Sequence, residues 1–309
     1  METLLQQVLN GLVLGSVYAL VALGYTMVYG ILQLINFAHG DVLMVGALTA
    51  MVTVKWVMAT FPSLPGPVVL VIGLLAAIPT CVLLNVAIER IAYRPLRNAP
   101  RLAPLITAIG ISIMLQTMAM IVFGREYHQF PALLPTEPIN VGGALVTQTQ
   151  IGILVIAALA MLGLTLLVER TRLGRAMRAT AENPRVAALM GVNSNHIIVM
   201  TFALGAALAA LAGVMLAANY AITHFYMGFL PGLKAFTAAV LGGIGNLYGA
   251  MLGGLLLGLV ESLGAGYIGD LTGGFLGSHY QDIFAFIVLI LVLTVRPSGL
   301  MGERVADRS

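Results

Sequence analysis

Apolar stretches long enough to cross a bilayer recur along almost the whole chain. They lie at 8–29, 42–58, 68–88, 105–123, 151–168, 197–218 and 248–263, with shorter ones at 234–245 and 283–295. A hydrocarbon core about 30 Å thick takes about 20 helical residues. Between these stretches stand breakers and charges: three prolines in 61–67, a basic loop at 89–104, a Pro- and Gly-rich loop at 124–150 and an arginine-rich interval at 169–196. Only 9% of residues are charged and 60% are hydrophobic, whereas soluble domains carry about 25% charge. The pattern predicts an all-α, polytopic helical membrane protein with eight or nine transmembrane helices in one domain over 1–309. No run alternates polar and apolar residues, which argues against an outer-membrane barrel.

Several features narrow the chemistry. Cys81 is alone and inside an apolar run, so no internal disulfide forms. Metal-ligand spacing is absent. The first apolar run follows no basic segment and is longer than a signal-peptide core, so no cleavable leader is expected. The lysines, Lys55 and Lys234, precede Trp56 and Ala235, so no Gly-Lys-Ser/Thr phosphate loop exists and the chain holds no ATP itself. Gly11 and Gly15, and the series Gly242, Gly243, Gly245, Gly249, Gly253, Gly254 and Gly258, read as small faces for close helix packing.

Charge sets the orientation. Arginines cluster at 90–101, 170–185 and 296–308, with Arg125 alone elsewhere. Arg-rich loops stay in the cytoplasm. The N-terminus then lies outside and the C-terminus inside, and parity requires 234–245 to cross as a broken helix. An inverted repeat follows: four spans over 8–123, a connecting helix at 151–168, four more over 197–295, and a tail at 296–309. Broken helices of such repeats lie near the midplane, and the breaks correspond at LINFAHGDVLMVGA and FLPGLKAFTAAVLGGIG.

The interval 169–196 predicts a helix over 175–181, a stop at Asn183-Pro184 that also starts a second short helix, and an end at Gly191. It is either a handle for another protein or a solvated loop obeying the charge rule. Asn36, His39 and Asp41 crowd a break at membrane depth, as caps of a half-helix starting near Gly40 or as part of a substrate or proton path. Glu261 sits late in an apolar helix and would pair with a polar neighbour. His279 and Asp282 mark a helix start at the membrane surface.

Six segments carry a resemblance: INFAHGD (35–41), ERIAYRPLR (89–97), RLAPLITAIG (101–110), LGRAMRATAENPRVAALMGV (173–192), GLKAFTAAVLGGIG (232–245) and RPSGLMG (296–302). Together they resemble the membrane permeases of bacterial branched-chain amino acid ABC importers, most closely the H-type subunit of the leucine/isoleucine/valine system. The match covers nearly the whole chain; INFAHGD is shared with urea and amide relatives. The resemblance implies an inner-membrane permease paired with a second homologous permease, two cytoplasmic ATPase subunits that bind ATP and Mg, and a periplasmic binding protein, with no nucleic-acid partner. It also implies that Arg175, Arg178, Ala181, Glu182, Asn183, Pro184 and Gly191 form the segment seated in the ATPase. A path for apolar side chains should have small, apolar walls, because tight polar binding would trap the substrate. Asn36, His39, Asp41, Gly242, Gly243 and Gly245 are the candidates, and Gly243→Trp is expected to block uptake while leaving assembly intact. Alternatives are a permease for urea, amides or other amino acids, and a self-sufficient channel or secondary transporter, which would hold several buried ionisable residues.

Overall fold

In a computed structural model, which describes residues 2–97, 99–100, 102–135, 137–271 and 281–302, the chain is a helical bundle. Its long helices are α1 (Glu2–Leu32), α2 (His39–Thr60), α3 (Gly66–Ile88), α4 (Leu102–Phe123), α5 (Gln148–Arg170), α8 (Ser194–Tyr220) and α10 (Leu247–Leu271). Between α5 and α8 lie α6 (Arg172–Glu182) and α7 (Pro184–Leu189); α9 (Phe229–Gly242) and α11 (Gln281–Val295) are shorter. Among the described residues, seven helices are long and apolar enough to span a membrane, and α9 and α11 are the short apolar pair. His279, Arg101, Arg304 and Arg308 lie outside the described residues.

α1 and α8 form the centre. Their side chains are largely buried, while α3, α4 and α5 turn Leu83, Ile106, Ile121 and Leu159 outward, as lipid-facing helices do. The packing partners come in matched couples: α1 on α10 and α3 on α8, α1 on α9 and α2 on α8, α2 on α3 and α9 on α10. That is the exchange an inverted repeat produces.

Glycine lets the central helices meet. A Cβ on Gly258 would lie 2.3 Å from the Gly15 backbone, and one on Gly254 would lie 2.5 Å from that of Ala19. Of the small faces read in the sequence, Gly11, Gly15, Gly254 and Gly258 lie at the α1–α10 contact and Gly242, Gly249 and Gly253 at the α9–α10 contact.

Two elements differ from the sequence expectation. α1 begins at Glu2 rather than near Val8, because its polar first turns find partners. Gln6 exchanges two hydrogen bonds with the Leu145 backbone, at 2.8 and 3.0 Å, and the Ser262 hydroxyl donates to Gln7. The loop 124–150 also holds short strands. β1 (His128–Gln129) pairs with β4 (Ile222–Thr223), and β2 (Ile139–Val141) with β3 (Ala144–Val146) around Gly142-Gly143, both at positive φ. The Gly-Gly pair is a hairpin signal, but strands this short give no readable alternation.

Candidate functional site

The arginine-rich end of the bundle carries a rigid elbow. Thr171 caps α6 by accepting the Gly174 N–H at 3.1 Å. α6 starts three residues before the expected 175 because Gly174 lets the chain turn against α5; a Cβ there would lie 2.0 Å from the Val168 carbonyl. Arg178 donates to that carbonyl. Gly174, Met177 and Thr180 face inward at three-residue spacing. Asn183 then caps α7, accepting from the Arg185 and Val186 N–H groups at 3.0 and 3.1 Å, and Pro184 fills the first helical position. Gly191, at φ +84°, closes α7 in a Schellman turn: its N–H donates to Ala188 and that of Val192 to Ala187, both at 3.0 Å. The Ser194 hydroxyl returns to the Pro184 carbonyl at 3.1 Å.

The elbow's outer face is open. Arg175, Ala181, Glu182 and Arg185 are exposed, and Leu189 and Met190 are 86% and 81% exposed. Leu189 and Met190 are large apolar side chains displayed side by side on a capped, otherwise polar segment.

Beside the elbow is a cavity of about 730 Å³ between the ends of α1, α5 and α9, the second half of α6, the start of α10, and the C-terminal turn. Tyr29, Gln33, Arg178, Ala181, Gly245 and Tyr248 are among its walls. The Tyr248 hydroxyl donates to Glu169, joining α10 to α5 at its edge. Gly245, at φ +99°, borders this open space. Gly242 and Gly243 are sealed instead: a Cβ would lie 1.9 Å from the Gly249 carbonyl and 2.4 Å from the Gly302 nitrogen, respectively. The turn after α11 sits on them, with Leu300 and Met301 N–H donating to Leu241 and Gly242 at 2.9 Å. Gly243→Trp would evict that turn, so the expectation that it spares assembly is corrected.

The polar residues of the break and the start of α2, Asn36, His39 and Asp41, are buried as well, whereas Gln33 at the start of the break is exposed on the cavity. Asn36 accepts from the Ala38 N–H at 3.2 Å and from the Tyr93 hydroxyl at 3.0 Å. Asp41, in the first turn of α2, accepts from Gln116 of α4 at 2.9 Å. His39 is buried edge-on to Tyr25, ring centroids 4.9 Å apart, and so close to Gly24 that a Cβ there would lie 2.2 Å from Nε2. The cavity is bordered by the last turns of α1 and by Gln33, the first residue of this break; their only sequence signal was proximity to the polar residues beyond.

In the far half of the bundle, Lys234 Nζ lies 2.6 Å from Glu261 and 2.7 Å from Asp282. The Tyr18 hydroxyl donates to the other Glu261 oxygen at 3.0 Å. Glu261 thus finds the polar neighbour it requires. Lys234 was missed as that neighbour because 27 residues separate the two and only packing of α9 on α10 joins them.

A glycine-packed helical bundle with short, interrupted helices and a capped elbow at its arginine-rich end defines a multi-pass membrane permease. The family described as "Branched-chain amino acid transport system / permease component" matches residues 7–293. The chain belongs to that family. It is 48% identical over 303 residues to the high-affinity branched-chain amino acid transport system permease protein BraD of Pseudomonas aeruginosa, covering 97% of this chain and 96% of that one. It is 44% identical over 304 residues to LivH of Escherichia coli, a permease of the same description, with the same coverage. A probable LivH of Methanocaldococcus jannaschii is 30% identical over 300 residues, covering 96% and 92%. No solved structure matches.

Proposed function

We propose that this chain is one permease subunit of an ABC importer that moves leucine, isoleucine and valine across a bacterial inner membrane. Its partners are a second homologous permease, two cytoplasmic ATPase subunits that bind ATP and Mg, and a periplasmic binding protein. The observation that carries the reading is the elbow, a two-helix unit fixed by Thr171, Asn183, Pro184 and Gly191 that presents Leu189 and Met190 to a partner. The nearby cavity has the volume of a small-molecule site and serves as the inner end of the path, with Gly245 on its wall. The halves 8–123 and 197–295 act as inverted repeats joined by 151–168. Substrate class follows from the kinship to permeases described as branched-chain amino acid transporters.

A second reading has one observation in its favour. Lys234, Glu261 and Asp282 are the kind of intramembrane charges that an ion-coupled carrier holds. Reconstitution separates the two. With both permeases, the ATPases and the binding protein in proteoliposomes, labelled leucine should accumulate only with ATP inside and binding protein outside. ATP-independent uptake that follows an ion gradient favours the carrier.

Orientation has its own expected result. In a Cys81→Ala background, Glu126→Cys should react with an impermeant thiol reagent from the periplasm, and Glu182→Cys only after the membrane is opened. Both positions are exposed, at opposite ends of the bundle. The reverse pattern places the elbow outside, away from any ATPase.

A further inference from the structure

A line of polar contacts runs inward from the elbow, through two places where regular helix is interrupted. It starts at the first turn of α8. There, Ser194 holds the first residue of α7, and the next residue, Asn195, accepts from Arg97. The same Arg97 guanidinium pairs with Glu89 through its other terminal nitrogen. Glu89 is fully buried, and its second oxygen has no partner among the described residues. It opens a π-helical turn, Glu89–Tyr93, that continues α3. Tyr93, which closes that turn, donates to Asn36 in the α1–α2 break and packs 5.5 Å from the Phe202 ring of α8. The break carries Gln33 at φ +53°, a backbone region that a non-glycine residue holds only when its surroundings enforce it. Gln33 also borders the cavity beside the elbow.

A π turn in place of α-helix is a common mark of a functional position. A tightly packed bundle passes small shifts between discrete arrangements rather than absorbing them. We infer that Asn195, Arg97, Glu89, Tyr93 and Asn36 form a positioning relay that carries movement of the elbow to the α1–α2 break, and so to the wall of the cavity. The inference rests on the coupling role proposed above for the elbow. Arg97 suits the task because its planar fork engages two acceptors at once, one on α8 and one on the π turn, which a lysine cannot do in the same geometry. The relay supplies a route from the elbow into the membrane half that the sequence leaves unconnected.

The test uses the complete importer in nanodiscs and reads the ratio of hydrolysis with loaded binding protein to hydrolysis without it. Asn195→Ala removes an exposed acceptor, and Tyr93→Phe removes one hydroxyl while Asn36 keeps its backbone donor, so both variants should assemble. Each should lower the ratio at least about threefold, the scale of coupling changes from mutations between sites. Asn195→Asp, which keeps the acceptor, should restore it. The double variant Asn195→Ala/Tyr93→Phe should be no worse than the more severe single, because steps of one relay do not add. Unchanged ratios in the two singles, or effects that multiply in the double, overturn the relay. An elbow variant, Asn183→Gly/Pro184→Gly, run alongside separates the two failures. If it loses stimulation while the relay variants keep it, the relay alone is wrong. If it too keeps full stimulation, the coupling role fails and the relay with it.

Discussion

The double variant Asn183→Gly/Pro184→Gly should assemble with its partners, insert normally and lose the link between ATP hydrolysis and uptake. α7 has six residues, too few to hold a helix by itself in water. Its order comes from the Asn183 cap, the fixed φ of Pro184, the Gly191 turn, the Ser194 hydrogen bond and the burial of Ala187. Glycine at 183 weakens the cap by only a few tenths of a kcal/mol. Removing Pro184 frees the unfolded segment by about 0.4–1 kcal/mol, and glycine inside a short helix costs about 1 kcal/mol more. The sum, roughly 2 kcal/mol, exceeds what a helix of under two turns can spare, so α7 melts while α6, anchored by Thr171 and Arg178, stays. Neither substitution lies in a spanning helix, so bundle stability should change little. Binding protein with leucine should then fail to raise hydrolysis above its basal rate, and uptake should fall to background. Full stimulation and full uptake would make the interval a solvated loop with the charge its side of the membrane demands.

Lys234→Met should produce the largest loss of stability. It strands Glu261, 2% exposed, with only the Tyr18 hydroxyl for a hydrogen-bond partner among the described residues of an apolar bundle. Breaking one side of a buried pair costs about 3–5 kcal/mol, because the remaining charge is uncompensated. Glu261→Gln should be milder, since Lys234 keeps Asp282, which is partly exposed, and the amide can still meet Tyr18. Lys234→Met/Glu261→Gln should recover most of the loss, because no deeply buried lone charge remains and Asp282, left without its lysine, is partly exposed. The measurement is the unfolding temperature of the detergent-purified complex, with monodisperse yield as a second readout. A Lys234→Met protein as stable as the parent would show that the three charged groups do not hold α9, α10 and α11 together.

The elbow was legible because its signals are local. Asn-Pro, a capping side chain and a terminal glycine act within a few residues of themselves, so reading 175–191 gave two short helices meeting at 183–184, as they stand in the fold. The spans were legible for a related reason: burial in lipid demands apolar side chains whatever the neighbours are. Boundaries were less so. α1 runs on to Glu2 because Gln6 and Gln7 find partners over a hundred residues away, and α3 runs into a π turn because Arg97 lets Glu89 be buried. The sites showed the same division. Composition could mark Asn36, His39, Asp41 and the glycines of 242–245 as unusual at membrane depth, but it could not tell a sealed contact from an open wall. Gly242, Gly243 and Gly245 are nearly adjacent in the chain, yet backbone from α10 and the C-terminal turn covers the first two and leaves Gly245 on the cavity. Class, span positions and the shape of the elbow were determined by the sequence itself, since propensity, capping and transfer from water are properties of short segments. The pairing of Lys234 with Glu261 and Asp282, the connection of Asn195 to Asn36, and the cavity itself were decided by tertiary structure, because each depends on which distant helices glycine allows to touch.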